Sequence, residues 1–214
     1  MRITKLGHAC VRIESGDAVV VVDPGAFTDE ADAIEDATVV LVTHEHPDHW
    51  TAELLRRADA PVLTIGAVAE QIREADPELG ERVRVVRPGE RVDAGVPVEV
   101  VGEKHAVIHP ELPHFDNSGF LLDVEGRTIF HPGDALTVPE RDVDLLLLPV
   151  SAPWLKVSEC IDFAREVAAP HNLGIHDAIY SETGHAVVGP HLERFLGPVG
   201  GSYTRIAPGT DLEV

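Results

Sequence analysis

The chain contains only two cysteines, Cys10 and Cys160, among its 214 residues. Two thiols make neither a disulfide framework nor a four-thiolate metal site, so a reducing cytoplasm is the expected compartment. Long apolar runs are also missing. The longest, over residues 18–22 and 145–148, are strand-sized and far short of the ~20 residues that a bilayer span requires. No membrane span is expected. The opening residues, Met1 to His8, carry no apolar stretch behind their basic residues, unlike a secretory signal. Positive charge is scarce as well: 17 Lys and Arg against 37 Asp and Glu leave a formal net charge of −20. Such a chain repels phosphate backbones unless its cations cluster. Arg56-Arg57 and the series Arg82, Arg84, Arg87 and Arg91 are diluted by Glu81, Glu90 and Asp93, so nucleic acid is not an expected partner. The acidic surplus reads first as a solubility feature.

The remaining composition is that of a globular protein. It is 44% hydrophobic and 25% charged, with a mean hydropathy of +0.02, which excludes a disordered chain or a collagen-like fibre. Strands are expected over 3–6, 10–14, 18–22, 38–42 and 61–65, with turn chemistry at Gly7-His8, Ser15-Gly16-Asp17 and Asp23-Pro24-Gly25. Helices are expected over 50–58 and 67–74, the second stopped by Asp76-Pro77. More strands follow over 83–86, around Val92 and over 96–101. Residues 119–124 and 127–130 flank Glu125-Gly126, a hairpin signal. Residues 145–148 read as a buried strand. Ser158 is expected to cap a helix running to about Ala169. A strand over 172–175, a helix over 185–195 and a closing strand over 203–206 complete the chain. No linker or repeat interrupts it, so residues 1–214 are expected to form one domain, a layered α/β arrangement with two sheets.

Histidine is abundant, with twelve residues, most beside Gly, Pro or Asp. The densest segment is Thr43-His44-Glu45-His46-Pro47-Asp48-His49, directly after the strand expected over 38–42. Pro47 prevents a regular helix there. Imidazole nitrogen and carboxylate oxygen both suit a borderline divalent metal. In extended geometry His44 and His46 point the same way and reach one ion, while Asp48 and His49, past the turn, are free to face a second.

The pattern His-x-His-x-Asp-His after a hydrophobic strand resembles the signature of the metallo-β-lactamase superfamily of metal-dependent hydrolases. Other landmarks fall in that family's order: Val19-Val20-Val21-Val22-Asp23-Pro24, then Gly102-Glu103-Lys104-His105-Ala106, then Thr128-Ile129-Phe130-His131-Pro132-Gly133-Asp134, and finally Asn172-Leu173-Gly174-Ile175-His176. His109 or His114 stands as an alternative to His105, and His185 to His176. The resemblance implies an α/β (α+β) four-layer αββα sandwich with metals at one edge between the sheets. It implies that His44, His46 and His105 hold one ion, that Asp48, His49 and His176 hold the other, and that Asp134 bridges them. Asp23 would fix the ligand loop by hydrogen bonds. Within the superfamily the chain is similar to the small proteins grouped with ascorbate-phosphate lactonase and the phospholipase-D-like N-acylethanolamine enzymes. That likeness rests on Leu6-Gly7-His8-Ala9, the hairpin before Asp134, the run from Leu145 to Val150, and Gly174-Ile175-His176. Ala135 departs from the threonine common after the Gly-Asp step, and Asp177-Ala178-Ile179-Tyr180-Ser181 also departs from the group's form.

Two divalent ions ~3.5–4 Å apart share a water and lower its pKa towards ~7. Such a pair, as the resemblance implies, would supply a hydroxide for attack on a carbonyl carbon or a phosphorus and would stabilise the developing oxyanion. Asp48 and Asp134, the catalytic carboxylates, offset part of the ionic charge, so an anionic small molecule remains compatible with the acidic chain. The expectation is a cytoplasmic dinuclear hydrolase of a small ester, lactone or phosphoester. Zinc is the expected metal, and manganese or iron suits the same residues. A homo-oligomer is compatible with the sequence. The rival expectations are a mononuclear iron oxygenase acting on sulfur compounds and a non-catalytic metal-binding module. A flavin-linked di-iron reductase would usually carry glutamate at the position of His46 and need a further domain. His8, in a Gly-flanked turn, and His131, beside Asp134, are candidates for supporting the ligands or meeting substrate. His109 and His114 bracket Pro110-Glu111-Leu112-Pro113, a loop expected to overhang the site. Trp154, Cys10 and Cys160 are expected to serve packing, and His185 and His191 to be solvated or capping residues of the last helix.

Overall fold

Apolar side chains in the strands alternate between two destinations, and that alternation builds the layers. The computed structural model describes residues 1–29 and 34–212. The first half runs β1 (Arg2–Gly7), β2 (Cys10–Ser15), β3 (Ala18–Val22), β4 (Val39–Val42), α1 (Ala52–Ala58), β5 (Val62–Thr64), α2 (Gly66–Ala75), α3 (Pro77–Gly80) and β6 (Val83–Val85). The second half runs β7 (Arg91–Asp93), β8 (Pro97–Val101), β9 (Gly119–Val124), β10 (Arg127–His131), β11 (Leu145–Pro149), α4 (Val157–Val167), β12 (His171–Ile175), α5 (Glu182–Leu196), β13 (Ser202–Thr204) and β14 (Thr210–Asp211). Two seven-stranded sheets result, ordered β14-β1-β2-β3-β4-β5-β6 and β13-β12-β11-β10-β9-β8-β7.

In β4, Val39 and Leu41 point inward and join Val98, Phe120, Leu122, Leu145, Leu147 and Leu173 of the second sheet in one core. Val40 and Val42 point outward, against Leu55 of α1 and Val68 and Ile72 of α2. The second sheet does the same: Leu146 and Leu148 of β11 face outward onto Phe163 and Ala164 of α4 and Leu192 of α5. Period-two alternation thus makes helix, sheet, sheet, helix, the four-layer αββα sandwich. The central strands β4 (VVLV) and β11 (LLLLP), buried on both faces, pair in parallel on each side.

Each sheet begins with antiparallel hairpins and continues as parallel strands. Strands β1–β3 are antiparallel and β3–β6 parallel. Likewise β7–β10 are antiparallel and β10–β13 parallel. The C-terminal ends of β1, β3, β4, β8, β10 and β12 lead directly into the segments carrying His8, Asp23, His44 to His49, His105, Asp134 and His176.

Helix termini differ locally from the sequence expectation. Asp76-Pro77 ends α2 but also starts α3: the Asp76 carboxylate accepts from the Leu79 N–H at 3.1 Å and Pro77 takes the first helical position. Helix α4 begins one residue before Ser158, with Lys156 as its cap, because Glu159 reaches back to the Lys156 N–H at 3.1 Å. Helix α5 starts at Glu182, ahead of His185, since Ser181 Oγ caps the Gly184 N–H at 3.3 Å. The two-residue β14 has no periodicity to announce it and exists through pairing with Thr4 and Lys5. Among the described residues, no helix is long and apolar enough to cross a membrane.

Candidate metal centre

The loop after β4 is held from behind. Asp23, fully buried at φ 51°, accepts from the Thr43 N–H at 2.8 Å and Thr43 Oγ1 at 2.7 Å, and it also meets His49 Nδ1 at 2.7 Å. The segment after Asp23 then lies directly on the loop: the Ala26 N–H donates to the Pro47 carbonyl at 2.8 Å. A Cβ on Gly25 would overlap the Asp48 carbonyl and the His49 nitrogen. Gly133, at φ 63°, is equally constrained, because a Cβ there would strike Asn117 Oδ1 and the Thr43 side chain. Asn117 uses that oxygen to accept the Asp134 N–H at 3.0 Å, while its Nδ2 donates to the Pro132 carbonyl at 2.9 Å.

These supports aim two groups of donor atoms. Within each group, His44, His46, His105 and Asp134 in one and His8, Asp48, His49 and His176 in the other, the donor atoms lie within 4.8 Å of one another. Asp134 stands between the groups. Its Oδ1 is 3.2 Å from His49 Nε2 and 3.1 Å from His176 Nε2, and its Oδ2 is 3.4 Å from His105 Nε2. Oδ2 also accepts Trp154 Nε1–H at 2.9 Å, so the tryptophan read as packing orients this carboxylate.

Hydrogen bonds set the tautomers. The Nδ1–H of His49 donates to Asp23, that of His105 to the Ala106 carbonyl, and that of His176 to the Ser151 carbonyl. Each neutral ring therefore carries its lone pair on Nε2. His49 Nε2, His105 Nε2, His176 Nε2 and Asp134 Oδ1 are buried without a hydrogen-bond partner. Four orphaned polar atoms facing one another are costly unless something satisfies them together, and a divalent cation accepts imidazole and carboxylate donors at once. The residues fit metal. His8 is different: its Nδ1 accepts the Ala178 N–H at 3.2 Å, so the ring hydrogen sits on Nε2, which faces Asp48 Oδ2 at 3.3 Å.

Electrostatics divide the rings differently: His49 and His176, beside the carboxylates, attract a second proton, which a bound cation would displace. Burial pushes the pKa values of His44, His46 and His8 down, leaving neutral rings. Burial opposes ionisation of Asp48, but the neighbouring His176 and His8 rings hold its carboxyl below the usual range. Burial likewise opposes Asp134, and the charges of His49 and His176 outweigh it, so both carboxylates are ionised at neutral pH. For His176, burial is overcome by Asp134 and Asp48, which lift its pKa to about 9. His49 is raised well above its ordinary value by Asp134 and Asp23 against the same burial. The carboxylates thus create a demand for positive charge that a cation meets.

Other candidates fall around this centre. His131 Nε2 lies 2.9 Å from the Ala9 carbonyl, to which it donates, and its Nδ1 accepts the Gly133 N–H at 3.1 Å, shaping the turn before Asp134. His114 donates through Nε2 to the His105 carbonyl at 2.8 Å. His109 is exposed, and its Nδ1 caps the Glu111 N–H at 3.2 Å within the loop after His105. His185, in α5, packs against Tyr180 and belongs to neither group. Cys10 and Cys160 are buried and unpaired. Thr43, Asn117, Ser151 and Trp154 were not singled out as site residues by sequence reasoning. Only Thr43 and Trp154 carried a local signal, the first by abutting His44 and the second by lying in a Pro-containing loop.

Comparison with known proteins places this geometry. The Beta-lactamase superfamily domain matches residues 2–176. Protein Rv0786c of Mycobacterium tuberculosis is 40% identical over 186 residues, covering 84% of this chain and 85% of the relative. A UPF0173 metal-dependent hydrolase of Methanoculleus marisnigri is 27% identical over 197 residues, covering 82% and 80%. In fold, the metallo-β-lactamase fold protein YhfI from Bacillus subtilis superposes with a TM-score of 0.76 at 16% identity, covering 99% of this chain and 98% of YhfI. The sandwich, the donor groups between its sheets and the match across most of the length agree: this chain belongs to the β-lactamase superfamily and is a metal-dependent hydrolase of the metallo-β-lactamase fold.

Proposed function

We propose that the enzyme is dinuclear and cleaves a small ester, lactone or phosphoester. His44, His46 and His105 would hold one divalent cation, Asp48, His49 and His176 would hold the second, and Asp134 would stand between them. The observation that carries this reading is the set of buried, unpartnered atoms, His49 Nε2, His105 Nε2, His176 Nε2 and Asp134 Oδ1, turned towards one another. Bound cations supply Lewis acidity and water of lowered pKa. The protein supplies geometry and charge balance. Asp23, Ser151 and the Ala106 carbonyl fix the ring orientations, and Trp154 fixes Asp134. The weak proton affinity of Asp48 and Asp134 suits them to balancing cationic charge and orienting donors rather than to carrying protons. The nitrogen-rich donor set favours zinc, and manganese and iron suit the same residues. The two buried, unpaired thiols support a reducing compartment.

The test is elemental analysis of the purified protein together with turnover of a simple ester, a lactone and a phosphodiester. Two metal equivalents are expected, with hydrolysis of at least one substrate class that Asp134→Ala abolishes. A protein that saturates at one equivalent, or that stays inert when fully loaded, rules the reading out.

A further inference from the structure

Alternation along β1 calls for an apolar side chain at position 5. Ile3, two residues earlier, enters the core between the sheets, and Lys5 shares its face. A cation stands there instead, 1% exposed and among the largest fully buried side chains of the molecule. Its Nζ donates to Asp177 Oδ2, and Asp177 is itself buried. The pairing of β1 with β2 slips between Lys5 and Gly7, an irregularity of the kind that re-aims a side chain beside a site. A buried ion pair is seldom more stabilising than apolar residues of the same volume. A lysine kept here points to a task other than filling the core.

Asp177 directly follows His176, and its bond to Lys5 joins the two sheets: β1 belongs to the first, and Asp177 follows β12 of the second. His176 has φ 52°, a left-handed conformation that a non-glycine residue keeps only where its surroundings hold it. Ser151 holds one side: its Oγ donates to the His176 carbonyl at 2.6 Å, and its own carbonyl accepts from the ring. His8 holds the other, accepting the His176 N–H at its carbonyl (2.9 Å) and the Ala178 N–H at its Nδ1 (3.2 Å). Between these two bonded residues, Asp177 is anchored through its side chain to Lys5. Arg205 approaches the same oxygen at 3.9 Å, but its guanidinium is engaged with Glu182 at 2.7 and 3.0 Å. Lys5 is therefore the cation that fixes the turn.

We propose that Lys5 is a positioning residue: through Asp177 it holds the His176 turn against β1 and so keeps His176 Nε2 aimed at the cation that Asp48, His49 and His176 would share. The inference rests on the dinuclear reading and adds to it a residue outside both donor groups. A charge-balancing pair and an aiming tether differ in one respect. If Lys5 only balances Asp177, removing both charges together restores stability and cation affinity alike. If it aims His176, removing both restores stability alone, and the turn stays loose.

The experiment uses Lys5→Met, Asp177→Asn and the double variant of the full chain, with Co2+ as the probe. Lys5→Met alone strips a buried carboxylate of its nearest cation and should melt well below the unaltered chain, whereas the double variant should melt close to it. Chelator competition on the double variant should show one Co2+ weakened by about 10–100-fold and the other held within about twofold. Asp177→Asn, which still offers Lys5 an oxygen, should keep most of the affinity. Amide hydrogen exchange on the metal-free double variant should quicken by roughly tenfold or more at His176 and Ala178, with Leu147 of β11 unchanged. Unaltered cobalt affinity or unaltered exchange in the double variant overturns the proposal, and so does an equal weakening of both ions. A double variant no more stable than Lys5→Met assigns the pair to stability and likewise overturns it. Where the unaltered chain binds a single Co2+, the dinuclear reading alone has failed and exchange decides: faster exchange at His176 and Ala178 supports the tether, and unchanged exchange overturns it.

Discussion

Single side chains at this centre act through their second atoms. His49 and His176 offer Nε2 inward because Nδ1 is occupied by Asp23 and by the Ser151 carbonyl. His8, with the opposite tautomer, presents a hydrogen to Asp48 instead of a lone pair. If Asp48, His49 and His176 hold the second cation as proposed, His8→Ala should weaken its binding by about 10–100-fold, while two equivalents still bind at saturation. His8→Gln, whose amide can donate to Asp48, should recover most of the loss. Chelator competition measures both, and loss of an equivalent at saturating metal would instead make His8 a ligand. Trp154→Phe should cost a similar ~10–100-fold in metal affinity or turnover, because a phenyl ring still packs there but cannot donate the hydrogen bond to Asp134.

Elements matter through close approach. Gly25 lets the segment after β3 lie on the 43–49 loop, and Gly25→Ala forces that loop aside. A loss of about 1–3 kcal/mol in denaturant unfolding is expected, together with impaired metal binding. Asp76→Ala provides the contrast. Removing the cap of α3 should cost about 1 kcal/mol and leave metal content untouched, since α3 packs against α1 and α2 at the far side of the first sheet. Strand identities were legible because β-branched runs such as Ala18–Val22 carry their preference locally. Helix starts were less so: Ser158 looks like a cap in isolation, but the reach of Glu159 to the Lys156 N–H moves the start. The pairing that makes β14 joins residues far apart in sequence, and no local pattern encodes it.

Across the whole molecule, the centre lies where both sheets deliver loops, so cation binding is linked to folding. Chelation should lower the melting temperature. A metal held at about a thousandfold above its Kd adds ~4 kcal/mol, which for a chain of this size corresponds to a shift on the order of 10 °C. Thermal denaturation before and after EDTA, and again after zinc is restored, checks both size and reversibility.

Residues 44–49 announced a candidate metal site because their donors are neighbours along the chain and their spacing alone constrains which way they face. Asp23, His105, Asp134 and His176 could be named from the family's order of landmarks, since chain order survives without knowledge of distance. The hydrogen bond of Trp154 to Asp134 and the hydrogen that Ala178 places on His8 had no such trace. Each depends on atoms brought together from distant segments, as with His8 and Ala178, which are 170 positions apart. Periodicity and residue chemistry act over a few positions, whereas tautomer, charge balance and the shape of an opening are set by packing between sheets.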